Sequence, residues 1–375
     1  MHPRGSDGPD ACHSAVPGQT RTLTLPPVPR RPLVLALVAW VAAAGCGGGR
    51  GGDRRSGTTA APAPATSAVT TTTAPTVWPL TGQPAPAGAP VRRPALVVKI
   101  DNGPPARPQS GLNQADVVVE EQVEGGVTRF FSVFHSTDAD PVGPVRSART
   151  TDIQLVSAMN RPLFAYAGTN ATFQRLVNAA PLVDVGYDAA SGDYSRRRDR
   201  PAPYNLYSST AALFRRAPAG AGPPPALFTF RPAGTAADGA AANRLHLEFR
   251  NAARITTAVD YAWDGAAGVW RRSQAGAAHV DATGAQVGPR NVVVQFVNYR
   301  DTGQRDQANS PVPEAVLVGQ GEAWVLSDGK IVRGTWSKPS PSSVTTYSDS
   351  QSRPIALTPG QTWVELPLPG SATVG

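Results

Sequence analysis

The stretch that most limits this chain is one that cannot fold. From Gly47 to Thr76 it reads GGGRGGDRRSGTTAAPAPATSAVTTTTAPT, almost without a bulky apolar residue. That composition cannot bury enough surface to offset chain entropy, so residues 46–76 are expected to be a disordered Gly/Ala/Pro/Thr-rich tether. Random-coil scaling gives its roughly 30 residues a reach of tens of ångströms. A core must be assembled from Trp78 onward, where about 300 residues remain, room for two domains.

What precedes the tether explains its position. Arg30 and Arg31 introduce PLVLALVAWVAAAGCGGG, whose apolar run from Leu33 to Ala44 is too short to span a bilayer and ends in small residues. Residues 1–45 therefore read as a signal peptide rather than a transmembrane helix. Cys46 follows Ala43, Ala44 and Gly45, the small-residue pattern before a lipidated cysteine. It is expected to carry a diacylglycerol anchor, become the mature N-terminus and hold the protein on the extracytoplasmic face of the cell membrane. Cys12 would be removed, so the mature chain has one thiol, no internal disulfide and no thiolate metal cluster. The chain carries 35 Lys plus Arg against 27 Asp plus Glu, a net +8. On an exported protein this excess suits contact with anionic lipid, a cell-wall polymer or another envelope protein. No basic helix or aromatic-interleaved basic run occurs, so nucleic acid is not an expected partner.

Beyond the tether, ALVVKIDN (residues 95–102) is a continuous apolar run of the kind that forms a strand buried on both faces. ADVVVEEQVEGGVTRFFSVFHS gives two more strands turning near Gly125 and Gly126. TTDIQLVSAM places Ile153, Val156 and Met159 at helical spacing behind Thr151, a candidate N-cap. RPLFAYAGT reads as a strand and ATFQRLVNAA as a short helix. This alternation predicts an α+β or α/β N-terminal domain over residues 77–216. A Pro-, Gly- and Ala-rich linker follows over 217–244. From 245 to 369, short alternating runs separated by Asp-Gly and similar turns predict a mostly antiparallel β C-terminal domain.

The candidate chemistry centres on DPVGPVRSARTTD, Asp140 to Asp152, between the second of those strands and the helix. Arg146 and Arg149 there are placed either to clamp a phosphate or carboxylate at a helix start or to pair with Glu120, Glu121 or Glu124. Asp101 and Asn102 lie at the strand end where open α/β sheets gather ligand-binding groups, and both also suit a plain turn. Strand alternation sends Glu120 and Glu121 to opposite faces, so only one can share a face with Arg129. Such a carboxylate, beside Asp101 or Asp152, could serve a hydrolase or transferase acting on wall polymers. Asn205 and Tyr207, in YNLY after the charge run RRRDR, are polar and aromatic groups suited to a pocket wall. There is no G-x-S-x-G, H-E-x-x-H or P-loop, and beyond the tether only His135, His246 and His279, far apart in sequence. No cofactor or metal site is expected.

Several motifs in one order carry a family likeness: WPLTGQPA, PALVVKIDN, ARPQSGLNQADVVVEEQVEGGVTRFFSVFHS, VGPVRSART, RPAPYNLYSS, NVVVQFVNY, GTWSKPSP and LTPGQTWVELP. From Trp78 to Pro367 the chain resembles the YerB-like lipoproteins of Gram-positive bacteria, a family of two adjoining domains of unknown function. The resemblance implies a lipid-anchored extracytoplasmic protein with an α/β N-terminal and a β-rich C-terminal domain. No established activity comes with it. The family motif A-P-H-N-L-Y is here APYNLY, with Tyr204 in place of the histidine, so an essential imidazole at that position is not implied.

Overall fold

A computed structural model describes residues 76–250, 256–306 and 309–375. The expected signal peptide, Cys46 and nearly all of the tether lie outside the described residues. β1 (Leu96–Asp101) is buried along its whole length, as its unbroken apolar run predicts. It pairs antiparallel with β3 (Thr128–Phe134) and parallel with β4 (Leu163–Ala165), beyond which β5 (Val183–Asp184) forms the edge. β2 (Val117–Gln122) runs antiparallel to β3. The two are joined through Gly125 and Gly126, whose φ of 72° and 76° side chains with a Cβ rarely adopt.

The other edge of β2 receives a strand from the far end of the chain. Thr362–Glu365 pairs parallel with β2 on one side and parallel with Asn291–Gln295 on the other. Antiparallel strands Gly319–Ser327, Lys330–Lys338 and Thr346–Asp349 continue the sheet. With Ala240–Ala241 beside Lys330–Lys338, eleven strands join among the described residues. One mixed sheet thus runs through both halves predicted from the sequence. The stretch expected as a linker, 217–244, contributes Ala240–Ala241 to this sheet, while Thr229–Phe230 pairs with Ala356–Leu357.

Alternation of side chains gives the sheet two buried faces. Leu96, Val98 and Ile100 share one core cluster with Leu245, Leu247, Phe249 and Trp270 of a second, five-stranded antiparallel sheet. That sheet includes Arg244–Arg250, Thr256–Asp264 and Val269–Gln274, and the alternating burial of Arg244–Arg250 marks one inward and one outward face. Val97, Val117, Phe131 and Val364 belong to the opposite cluster. There they pack with Val156 of helix α1 (Thr150–Val156), Val177 of helix α2 (Ala171–Ala179) and Ala315 of the hairpin Tyr299–Arg305/Pro311–Ala315. Helices therefore cover part of one face and a β-sheet the other. The N-terminal half is mixed α and β, and the C-terminal half is mostly antiparallel β.

One local expectation is corrected. Helix α1 starts one residue before Thr151, with Arg149 as N-cap. Asp152 accepts the Arg149 backbone N–H at 2.6 Å, so a carboxylate at the third helical position satisfies the helix start. The Thr151 hydroxyl instead accepts the Ala315 N–H at 3.0 Å.

Because one strand joins the halves, they are expected to unfold together. Trp363 on that strand is fully buried and packs edge-on against Phe130 at 5.2 Å. Trp363→Ala should cost about 3–5 kcal/mol in urea unfolding. Fluorescence and far-UV circular dichroism should still report one shared transition; separate transitions would show that the halves are not coupled.

Candidate functional site

Strand register brings the first residues of the site together. In β3, Arg129 stands opposite Asp101 of β1 on one side and Glu121 of β2 on the other. All three project from one sheet face, while Glu120 points to the opposite face. The loop Asp140–Arg149 then runs along the end of β1. The Asp101 N–H donates to Pro144 O at 3.1 Å, and the Arg146 N–H donates to Lys99 O at 2.9 Å. Arg146 O in turn accepts the Ala167 N–H at 2.9 Å. The loop turns tightly at Gly143, where a Cβ would lie 2.9 Å from both the Leu206 carbonyl and the Tyr207 ring.

This threading gathers Arg129, Arg146 and Arg149 with Glu124 around an open cleft of about 460 Å³. Ser147, the segment Ala167–Asn170 at the start of α2, and Arg305, Asp306 and Val312 of the hairpin complete its walls. Glu124 is the shared counter-ion. Arg149 Nε donates to its Oε2 at 2.7 Å and Arg149 Nη2 to its Oε1, which also receives Arg129 Nη2 at 3.2 Å. Burial opposes ionisation of Glu124, but the Arg149 hydrogen bond and the charges of Arg129 and Arg149 hold it down at about 2. Burial, followed by the charge of Arg149, lowers Arg129 to about 10. Two guanidinium groups thus share one carboxylate, with Asp101 adding to the negative charge near Arg129.

Arg146 is the most open of the three, its side chain 22% exposed. Nε donates to Asp101 Oδ2 at 2.5 Å, and the guanidinium carbon lies 5.7 Å from the centre of the Tyr204 ring. Among the described residues its two Nη groups have no hydrogen-bond partner. The Thr169 hydroxyl and Arg129 Nε, both in the walls, are also buried without one. The Arg146 Nη groups are the donors that a negatively charged oxygen entering the cleft would meet.

The other sequence candidates lie apart. Glu121 is sealed in the interior with Lys99, whose Nζ donates to it and to Asp152 Oδ1 at 2.7 Å. Burial pushes the Glu121 carboxyl well above its usual range and Asp152 adds to this, against the pull of Lys99. Where Glu121 is protonated, Lys99 and Asp152 stand as a balanced pair. Asn102 belongs to a network between the two sheets: its Nδ2 donates to Glu120 at 3.0 Å and Thr128 at 2.7 Å, and its Oδ1 accepts from Gln109 at 3.1 Å. Glu120 there pairs with the buried Arg272 at 2.6 Å. Asn205 accepts from Arg196 at 3.0 Å on the surface, and Tyr207 is buried with its ring against Gly143.

Residues that sequence reasoning did not select include Ser147, Thr169 and Arg305 in the cleft and Lys99 beneath it. Lys99 carried a signal: a charge inside an otherwise apolar buried strand demands a partner. Thr169 and Arg305 carried none, because only tertiary contacts bring them to the loop. Among the described residues no cluster of His, Cys, Asp and Glu is placed to hold a metal ion.

A mixed sheet flanked by a second sheet and short helices, with an arginine-lined cleft at the ends of its N-terminal strands, defines the class. Residues 80–221 match the family described as "Protein of unknown function (DUF3048) N-terminal domain" and residues 247–364 its C-terminal domain. The chain belongs to that family. It is 27% identical over 298 residues to "Putative lipoprotein YerB" of Bacillus subtilis (strain 168), covering 77% of this chain and 85% of that protein. The crystal structure of YerB protein from Bacillus subtilis has the same fold, with a TM-score of 0.69 at 23% identity. The match covers 80% of this chain and 99% of that one.

The depressed Glu124 predicts an acid-sensitive site. A carboxylate lowered from 4.5 to about 2 on folding stabilises fully above pH 4.5, and that contribution is lost as pH falls toward 2. Its upper bound is about 3 kcal/mol. Chemical denaturation between pH 6 and pH 2.5 should show Glu124→Gln losing less stability than wild type over that range; parallel losses would contradict the assignment.

Proposed function

We propose that this chain is a lipid-anchored protein of the extracytoplasmic membrane face whose arginine-lined cleft binds an anionic ligand of the cell envelope. The convergence of Arg129, Arg146 and Arg149 on one open cleft with Glu124 as shared counter-ion carries the binding part. The anchoring part rests on the apolar run Leu33–Ala44 before Cys46 and on the name of the Bacillus subtilis relative. A lipid anchor and long tether would hold the cleft near the membrane surface, within reach of acidic wall glycopolymer and peptidoglycan fragments. Phosphate and carboxylate oxygens of such polymers match guanidinium donors in geometry as well as in charge.

The alternative of a carboxylate-based hydrolase or transferase fits the geometry less well. Glu121 is sealed around Lys99, and Asp101 accepts both Arg146 and the Gly103 N–H at 2.6 Å. A general acid and base pair would need two carboxyl groups reaching one substrate.

Two outcomes are expected. Titration with purified wall glycopolymer should give binding that weakens as salt rises. Arg146→Ala should weaken it about 10-fold or more, the loss expected for a charge-assisted contact. Unchanged affinity in a folded Arg146→Ala protein would rule out this site. In cell fractionation, Cys46→Ser should move the protein from the membrane to the soluble fraction; retention at wild-type level would remove the lipid anchor from the proposal.

A further inference from the structure

None of the charge run RRRDR, Arg196 to Arg200, lines the cleft, yet the fold sets it beside Arg146. Tyr194–Arg196 and Leu206–Ser208 pair antiparallel, so residues 197–205 form the loop of a hairpin, closed by the Arg197 N–H on the Asn205 carbonyl at 2.8 Å. Two contacts fix where that loop lies. Arg200 donates from Nη1 to Ala106 O at 3.0 Å and from Nη2 to Pro108 O at 2.8 Å, which holds the loop against the segment that follows β1. From the same loop, Tyr204 presents its ring to the Arg146 guanidinium, 3.9 Å from where a Gly103 Cβ would stand. Arg146 therefore stands between the cleft, whose wall it forms, and the arginine loop.

The loop is both charged and braced. Residues 196–200 carry four arginines and one aspartate, a net +3. Asp199 is matched by Arg197, through Nε at 3.0 Å and Nη2 at 2.6 Å. Arg196 lies over the Tyr187 ring at 5.5 Å and Arg197 over the Tyr207 ring at 5.3 Å, as Arg146 lies over Tyr204. A guanidinium resting on an aromatic face keeps the N–H groups at its edge for oxygen acceptors. Arg196 Nη1 donates to Asn205 Oδ1. Among the described residues, Nε and Nη2 of Arg196 and the whole guanidinium of the exposed Arg198 have no hydrogen-bond partner. Like charges are crowded here with one carboxylate to offset them, and an anion from outside relieves that repulsion.

We propose that the arginine loop prolongs the cleft into one binding track for a linear polyanion, with one charged unit at Arg146 and the following units passing Tyr204 to Arg196 and Arg198. This rests on the anion-binding role proposed for the cleft and adds the form of the ligand, a chain charged along its length. Weak exposed contacts add up along such a chain, because the unit held at Arg146 keeps the next ones close to the loop.

The test compares inorganic phosphate with long-chain polyphosphate by calorimetric titration of the detergent-solubilised full-length protein. Polyphosphate should bind at least about 10-fold more tightly per phosphate, and its affinity should fall more steeply as salt rises. Arg196→Ala/Arg198→Ala replaces two exposed side chains outside the core, so the fold should be kept. It should weaken polyphosphate about 10-fold or more, flatten its salt dependence and leave inorganic phosphate unchanged. Arg146→Ala should weaken both probes. Equal affinity per phosphate, unchanged polyphosphate affinity in the double variant, or an equal loss of both probes there would each overturn the track and leave the cleft reading standing. No binding of either probe to wild type, or no effect of Arg146→Ala, would overturn both. A lipid surface is the rival partner, tested by sedimenting the Cys46→Ser protein with phosphatidylglycerol vesicles. If the double substitution abolished that sedimentation but left polyphosphate affinity intact, the loop would serve the membrane and the proposal would fall.

Discussion

The strand Thr362–Glu365 holds the rest of this structure in register. It contributes backbone hydrogen bonds in both directions, to β2 of the N-terminal half and to Asn291–Gln295 of the C-terminal half. Without it, two sheet edges would be left with unpaired N–H and C=O groups in the interior, each costing roughly a hydrogen bond's worth of desolvation. Its side chains extend the coupling. Trp363 reaches the core shared with the second sheet, and Val364 the core beneath the helices. Glu365 lies beside Glu120 in register, and burial followed by the neighbouring Glu120 charge drives its carboxyl far above the usual range. It thus stays neutral while Arg272 balances Glu120.

This arrangement places charge on both faces of the sheet, and the two faces treat it differently. Between the sheets, Glu120, Arg272, Asn102, Gln109 and His279 form a closed network in which His279 is kept neutral by burial and by the Arg272 charge. On the opposite face, Lys99, Glu121 and Asp152 are equally closed. Asp152 links that triad to the cleft, because its second oxygen caps the helix at Arg149. Only beyond it, at the strand ends, does the count tip toward arginine and the structure open. The cleft is held in place by the same buried ions that fix the sheet, so its geometry belongs to a rigid element rather than to a free loop.

The sequence by itself determined the elements. Continuous apolar runs marked β1 and β2, glycines marked the β2–β3 turn, and alternation with Asp-Gly turns marked the C-terminal strands. It also showed that Glu120 and Glu121 face opposite ways, because the period of a strand is two. The N-cap of α1 was misplaced by two residues, at Thr151 instead of Arg149, because the Asp152 carboxylate accepts the Arg149 N–H and closes the helix start there. Nothing local could show that the halves share a sheet: a four-residue strand has no mark of its partners, and those of Thr362–Glu365 lie about 70 and 245 residues away.

The tertiary structure alone decided which charges are spent and which are available. Arg146 and Arg149 looked alike in sequence, yet one is closed onto Glu124 while the other keeps its outer nitrogens toward the cleft. Glu121 and Glu124 were equivalent acidic candidates until packing sealed the first around Lys99 and placed the second in the wall of the cleft. Lys338, at the end of its strand, is buried, and burial alone lowers its ammonium. Residue type fixes a charge at neutral pH only in water. Burial and the distance to the next ion decide what that charge does, and both are set by contacts between segments far apart in the chain.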